Sequence, residues 1–476
     1  MLKNYLFIDL KRNLEFDPTP GQEILLKELG IFLSTPDQQK LFLIKGYAGT
    51  GKTTIVNALV VTLTGIKLQS VLLAPTGRAA KVLSSYTSRP AFTIHKKIYR
   101  QKSGKDGLGK FVLDRNLHKD TFFIVDEASM IGDRNFENDS FGSGDLLTDL
   151  AEYVQSGTNC RLILIGDTAQ LPPVGLDISP ALDPHHLRAM GWSVQEVYLR
   201  DVVRQSLDSG ILENATRLRQ EVETKNISPP QIHLKPFTDI IKLGGAELIE
   251  ELENAYSRYG EGETIVISRS NKRANRFNSG IRNQILWREE EISVGDLLMV
   301  VKNNYHWTAP QEGLEFIANG DIARLERIIR YHSLHGYRYA DVMLSLPDYK
   351  NLELEARILI DTLALDTASL PVKDQKELFQ KVMEDYEEET DRKKRLKKVL
   401  EDPFFNALQV KFAYAVTCHK AQGGQWKAVF VDPGFYRDDM LNAEYLRWLY
   451  TAFTRATEKL YLVNFPESFF PELPYN

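Results

Sequence analysis

Up to Arg200 the chain alternates two kinds of apolar pattern. Short unbroken runs, "LFLI" from Leu41, "SVLLA" from Ser70, "FFIV" from Phe122, "RLILIG" from Arg161 and "VYL" from Val197, are separated by stretches with apolar residues at helical spacing, as at Ile55, Leu59 and Val60. Unbroken apolar runs mark strands buried on both faces, and their alternation with helices predicts a parallel, doubly wound α/β sheet. Three runs lead into polar residues at Thr76, Asp126 and Asp167. The carboxyl ends of strands line the ligand crevice in such sheets, so these three residues are expected around one site.

Beyond Arg200 the pattern changes. "TKNISPPQIHLKPFT", Thr224 to Thr238, reads as a connector, and "GETIVISRSNKRANRFN" from Gly262 starts a second strand-to-helix unit. A β-rich region follows around "VGDLLMVVKNNY" and "IANGDIARLERI". Lys373 to Asp402 is dense in both charges, and "EDYEEETDRKKRLKKVLED" is most simply a solvated helix face. Strand-like runs return in "FAYAVTCHKAQGGQWKAVFVD" and "YTAFTRATEKLYLV", so the second α/β unit is expected to be split by an insertion.

Composition narrows the class. A chain of 476 residues, 43% hydrophobic and 26% charged, suits a soluble globular protein of two to four domains. A formal charge of −5 argues against wholesale wrapping of nucleic acid, so any such binding needs a local basic track. Cys160 and Cys418 stand far apart, which implies neither a disulfide framework nor a zinc cluster. The start, "MLKNYLFIDLKRN", has too short an apolar run for a signal peptide, and no run has the length of a membrane span. The expectation is a soluble cytoplasmic protein in a reducing compartment, with no membrane partner.

The strongest chemistry lies in "GYAGTGKT", Gly46 to Thr53, which has the form GxxxxGK[ST] between a strand and a helix. Gly46, Gly49 and Gly51 let the backbone bend so that its N–H groups face a phosphate chain, with Ala48, Thr50 and Thr54 completing the cradle. Lys52 would reach the β- and γ-phosphates, and the Thr53 hydroxyl would hold Mg²⁺. The ligand implied is ATP with Mg²⁺. "FFIVDEASM" adds Asp126, suited to hold Mg²⁺ through water, and Glu127, suited to polarise the attacking water. Gln170 in "LILIGDTAQLPPVG" suits γ-phosphate sensing, although a Gln alone would read as a surface amide. Arg204 in "VVRQS" and Arg455 in "YTAFTRA" offer guanidinium forks for phosphoryl transfer, although each taken singly reads as an ordinary ion-pair partner.

The order "FDPTPGQ", "GYAGTGKTT", "APTGRAAKVL", "FTIH", "DEASM", "GDTAQLPPVG", "VVRQS", "VTCHKAQGGQW" and "YTAFTRA" resembles superfamily I (1B) DNA helicases, and within them the RecD-like branch. The match runs from about Thr19 to Val463, is loose over 325–405, and says nothing of the first residues. The resemblance implies two RecA-like parallel-sheet domains with a P-loop NTPase core. The first would span 1–200 with a short pin insertion at about 100–120. The second would comprise 201–324 and 406–476, with a small β-rich, SH3-like insertion at 325–405. It implies that Gln22 reads adenine, that Lys52, Thr53, Asp126, Glu127, Gln170, Arg204 and Arg455 serve ATP hydrolysis, and that Gln422 couples strand binding to the ATP cleft. Thr76, Arg78, Thr93, His95, Thr417, His419 and Lys420 fall in segments similar to DNA-contacting ones, where hydroxyls, imidazoles and cations grip a backbone without reading sequence.

The pin is expected within "RQKSGKDGLGKFVLDRNLHKD", Arg100 to Asp120, with Gly104, Gly107 and Gly109 in its turn and "KFVLD" as its returning strand. Phe111 would either stack on the last base pair or anchor a minor core. The activity implied is 5′-to-3′ translocation on single-stranded DNA and unwinding of tailed duplexes by a monomeric motor, in repair or recombination. Open alternatives are a translocase or nuclease-complex motor without robust unwinding, and a non-catalytic single-strand-binding scaffold. RNA also remains open as a substrate, because backbone gripping and stacking do not separate it from DNA.

Overall fold

The structure is a computed structural model that describes residues 2–471, apart from 15, 36, 102–110, 133–141, 203–207, 225–226, 310–313 and 315. Eight strands precede Arg200: β1 (Lys40–Gly46), β2 (Gln69–Ala74), β3 (Ala91–Thr93), β4 (Tyr99–Gln101), β5 (Phe111–Leu113), β6 (Thr121–Val125), β7 (Arg161–Gly166) and β8 (Ser193–Leu199). Six of them form a parallel sheet in the order β3-β2-β6-β7-β1-β8. The five apolar runs are five of these strands; β3 is a short edge strand that the pattern does not announce.

Strand alternation explains why the runs are unbroken. Phe42, Ile44, Ile124, Ile163 and Ile165 pack on one face with Leu25, Leu29 and Leu59 from the helices Pro20–Ser34 and Lys52–Gly65. Leu41, Leu43, Phe123, Val125, Leu162 and Leu164 point the other way, onto Leu147 and Leu150 of the helix Leu146–Ser156. Both faces are covered, so both parities must be apolar. The N-terminal segment, which resembled nothing, is a helix, Leu2–Arg12, that adds Leu6 and Leu10 to the first core.

The remaining strands are β9 (Ile240–Leu243), β10 (Thr264–Ser268), β11 (Leu297–Val300), β12 (Ile322–Leu334), β13 (Tyr337–Leu346), β14 (Leu352–Leu359), β15 (Leu408–Phe412), β16 (Ala415–Thr417), β17 (Trp426–Asp432) and β18 (Ala456–Val463). A second parallel sheet has the order β16-β10-β17-β18-β9. Between β10 and β16 the chain leaves to build a closed barrel, β11-β12-β13-β14-β15. The barrel is larger than the 325–405 expected for the insertion, because β11 and β15 close it by pairing with each other antiparallel. Within the charged stretch the helices Val372–Asp385 and Arg392–Glu401 bury Leu378, Val382 and Val399 and leave most of their charges outside.

The two sheets share a core. Tyr47, Ala169 and Leu171 from the first lobe pack with Ile211, Ala215 and Leu218 of the helix Gly210–Thr224 and with Leu446, Leu449 and Tyr450 of the helix Ala443–Phe453. This contact brings the carboxyl ends of the first sheet against the second lobe.

Candidate functional site

The loop after β1 is built as its glycines require. Gly49 and Gly51 have φ of 74° and 79°, in the left-handed region that side chains rarely adopt. A Cβ on Gly46 would stand 2.9 Å from the Thr50 hydroxyl and 3.1 Å from the Lys52 side chain, so Gly46 is required by close approach. Lys52 Nζ donates to the carbonyls of Gly46 (2.7 Å) and Tyr47 (2.8 Å) and lies 3.9 Å from the Asp167 carboxylate. Thr53 and Thr54 stand in the first turn of the helix that Lys52 begins.

Gln22 is fully buried, and both ends of its amide are engaged. Nε2 donates to the Thr50 carbonyl (3.0 Å), and Oε1 accepts from the Thr19 N–H (2.9 Å) in a capping box at the start of Pro20–Ser34. In this arrangement it braces the phosphate loop.

Asp126 and Glu127 follow β6 directly. The Asp126 carboxylate accepts from the Glu127 N–H at 2.8 Å. Its pKa is pushed up to about 6 by burial and then by the Glu127 charge, against the pull of that N–H and of Lys52. Glu127 itself has φ of 53°, a left-handed conformation in a non-glycine residue. Such a conformation costs roughly 1–2 kcal/mol and is concentrated at working sites. It aims the carboxylate toward the second lobe, where Arg455 Nη1 lies 4.0 Å away.

Asp167, Gln170 and Arg455 complete the cluster. Asp167 is buried and accepts from the Ala169 N–H (2.9 Å) and the Tyr450 hydroxyl (2.6 Å). Gln170 is buried with its amide oxygen lacking an acceptor's usual partner, an orphan that fits a site meant to receive something more. Arg455 is buried and donates to the carbonyls of Thr451 (3.1 Å) and Gly424 (3.2 Å). Arg204 lies outside the described residues.

Three residues that the sequence left unmarked join the lobes here. The Tyr450 hydroxyl accepts from the Ala48 N–H of the loop (2.8 Å) while donating to Asp167. Thr451 accepts from the Leu171 N–H (2.8 Å), and Arg447 donates to the Thr168 carbonyl. Tyr450 and Thr451 lie in the "YTAFTRA" segment singled out for Arg455, and Arg447 precedes it; the segment was the available signal. Gln422 donates to the Leu171 carbonyl at 2.6 Å, from the opposite side of the same short stretch.

A channel of about 990 Å³ runs between the two lobes and the barrel. Thr76, Arg78, Thr93, His95, His419 and Lys420 all line it, as does Gln422. Thr76 and Thr93 also cap the helices Gly77–Thr87 and Ile94–Ile98, accepting from the Ala79 and Lys96 N–H groups. The Arg78 guanidinium lies 4.1 Å over the Trp426 ring. Burial lowers the pKa of His419 and takes that of His95 down to about 4, which disfavours the charged ring in both. Thr417 closes β16 next to the channel but is not on its wall. Phe111 is also off the wall: it is buried, with its ring 4.3 Å from that of Tyr305, which in turn meets Phe316 at 5.3 Å. β4 and β5 pair antiparallel as a two-stranded ribbon, while the turn of the expected pin, 102–110, lies outside the described residues.

Residues 32–229 match the family model described as an AAA domain, and 412–463 match that of the UvrD-like helicase C-terminal domain. A third model, Bacteriophage Mu transposase, matches 184–350, a stretch whose borders cut through the first lobe and the barrel. The chain is similar to superfamily I helicases of the RecD-like branch, in agreement with its motif order. It is 30% identical over 198 residues to the ATP-dependent RecD2 DNA helicase of Deinococcus radiodurans, covering 42% of this chain and 24% of that protein. It is 26% identical over 269 residues to the ATP-dependent DNA helicase dda of Enterobacteria phage T4, covering 54% of this chain and 55% of that one. The chain thus spans about a quarter and about half of the lengths of these relatives. A crystal structure of the Pif1 helicase from Bacteroides in complex with ADP-AlF3 and ssDNA overlays with a TM-score of 0.48 and 13% identity, over 96% of this chain and 95% of that one.

Proposed function

We propose that the chain is an ATP-driven motor that moves 5′ to 3′ along single-stranded DNA and unwinds duplexes with a 5′ tail. The observation that carries this reading is the Gln422 bridge. Gln422 lines the channel, and its amide holds Leu171, whose N–H is held by Thr451, a neighbour of the tyrosine that touches both the phosphate loop and Asp167. A strand gripped in the channel and a nucleotide at the loop would therefore pull on one short segment.

The loop's N–H groups and its left-handed glycines fit a phosphate chain, and the orphaned Gln170 oxygen fits an added donor or water beside it. Among the described residues no three His, Cys, Asp or Glu side chains converge on a metal-sized site. Mg²⁺ would be held by Thr53 and Asp126 together with phosphate oxygens, and when bound it supplies charge neutralisation at the transferring phosphoryl group. Lys52 exchanges its carbonyl partners for phosphate oxygens. Glu127 orients and polarises the attacking water, Gln170 senses the terminal phosphate, and Arg455, with Arg204, stabilises the charge that develops there.

In the channel, Thr76, Arg78, Thr93 and His95, at the ends of β2 and β3 in the first lobe, and His419 and Lys420, after β16 in the second, hold the backbone, with Thr417 at the end of β16 beside them. Alternate closing and opening of the lobes then ratchets the strand. The ribbon of β4 and β5 serves as the pin, and the barrel holds DNA against it. The test is steady-state ATP hydrolysis with and without single-stranded DNA, followed by unwinding of duplexes with a 5′ or a 3′ tail. Stimulation by single strands and unwinding of 5′-tailed duplex alone is the expected result; preference for 3′ tails would overturn the polarity, and hydrolysis indifferent to single strands would overturn the motor.

A further inference from the structure

The helix Gly210–Thr224 lies along the phosphate loop and touches it at three places. Leu212 Cδ2 stands 3.2 Å from where a Cβ on Gly49 would project, the Arg219 guanidinium lies 4.1 Å over the Tyr47 ring, and the Glu223 carboxylate accepts from the Tyr47 hydroxyl. Arg219 is 8% exposed. One of its nitrogens, Nη2, donates to the Arg200 carbonyl at 3.3 Å, while Nε and Nη1 meet no acceptor. Among the described residues no carboxylate pairs with it.

A guanidinium carries a permanent positive charge and five N–H donors. Burying a charge without hydrogen-bond partners is costly, and the Tyr47 ring compensates it on one face only. The neighbouring cations differ: Arg455 and Arg447 spend their donors on the Thr451, Gly424 and Thr168 carbonyls. Arg219 therefore keeps two buried donors free for an acceptor beside the phosphate loop, and a planar fork of donors is suited to phosphate oxygens.

We infer that Arg219 is a further contact to the phosphate chain of the nucleotide, delivered to the loop by the helix Gly210–Thr224. The inference rests on the ATP reading of the loop and adds a residue that no motif in the sequence marks. It also gives this helix a function: nucleotide binding would tie it, and the second lobe against which it packs, to the loop.

The full-length chain carrying Arg219→Gln or Arg219→Lys tests this by titration with a fluorescent ATP analogue and Mg²⁺, and by thermal unfolding with and without ATP. Arg219→Gln is expected to weaken ATP binding about ten-fold or more, the usual scale for losing charge-assisted hydrogen bonds. Its unfolding midpoint without nucleotide should equal or exceed that of the unaltered chain, because the uncompensated charge is gone. The rise in midpoint that ATP confers should shrink with the affinity. Arg219→Lys, which keeps the charge but loses the fork, should fall between the two. ATP affinity within two-fold of the unaltered chain in both variants would overturn the inference. So would a midpoint that drops without nucleotide in Arg219→Gln while Arg219→Lys binds ATP normally, since that is the behaviour of a guanidinium stacked on Tyr47 for packing alone. An unaltered chain that fails to bind ATP would instead remove the ATP reading itself.

Discussion

Lys52 and Glu127, both proposed to serve ATP hydrolysis, are held in different ways. Lys52 rests on two loop carbonyls, so it must trade hydrogen bonds of similar kind to meet a phosphate. Lys52→Ala is expected to lower ATP hydrolysis by roughly 10²–10³ or more, the scale for loss of one preorganised charge contact, with the fold retained by circular dichroism. Near-normal single-strand-stimulated turnover in that variant would refute the phosphate-loop assignment. Glu127 has a left-handed backbone, and its carboxylate faces Arg455 of the second lobe at 4.0 Å. Glu127→Gln keeps size and shape and is expected to bind ATP with near-normal affinity while hydrolysing it at least about 100-fold more slowly, as measured in single-turnover assays. Loss of ATP affinity on the same scale would assign Glu127 to binding instead. The sequence shows Lys52 in the loop after β1 and Glu127 directly after β6. It did not show that Gln22 ties the loop carbonyl of Thr50 to the cap of the helix Pro20–Ser34, because a motif specifies a residue and not its hydrogen-bond partners.

Elements decide what the insertions do. The ribbon β4–β5 is held to the barrel by Phe111 packed on Tyr305, an aromatic contact across segments far apart in the chain. Phe111→Ala removes a buried ring, with a cost of about 3–5 kcal/mol if the surroundings do not collapse. Unwinding of 5′-tailed duplex is expected to fall well below its normal rate while single-strand-stimulated hydrolysis stays within about two-fold; an equal loss of both would place the ribbon in the motor core. In the same connection between β11 and β12, Asp321 is buried against Gly77 at the start of the helix Gly77–Thr87, with Oδ2 accepting from the Ala318 N–H and the Tyr349 hydroxyl. Burial pushes its pKa up to about 7, above the unfolded value, so the folded chain keeps a proton that the unfolded chain has lost. Stability from this group is therefore full at low pH and declines as pH rises from about 4 to about 7. Thermal unfolding at about pH 5 and about pH 8 should show a smaller decline for Asp321→Asn than for the unaltered chain; identical slopes would mean that the proton is not held.

At the scale of the whole molecule the cleft and the channel meet in one segment, Asp167 to Leu171, held by Tyr450, Thr451, Arg447 and Gln422 from the second lobe. Two consequences separate chemistry from coupling. Arg455→Ala should lower the maximal rate of hydrolysis by roughly 10³ or more, with ATP binding affected less, because its charge is needed chiefly as the transition state forms. Gln422→Ala should leave hydrolysis without DNA within about two-fold and reduce its stimulation by single strands several-fold, since the hydrogen bond it removes lies between channel and cleft. Full stimulation in that variant would show that the signal travels elsewhere.

The unbroken apolar runs, the GxxxxGKT loop and the order of the motifs determined the first parallel sheet, the loop, and which residues gather at its carboxyl edge. These are local consequences of strand alternation, glycine conformations and helix starts, and they are written within a few residues of where they act. Tertiary structure alone decided the rest. The barrel closes through β11 and β15, strands with apolar runs no different from those of a sheet. Phe111 meets Tyr305, Tyr450 meets Ala48, and Arg219 meets Tyr47 only because distant segments are packed together. Such pairings depend on which apolar faces bury one another across the lobes, and that choice belongs to the whole chain.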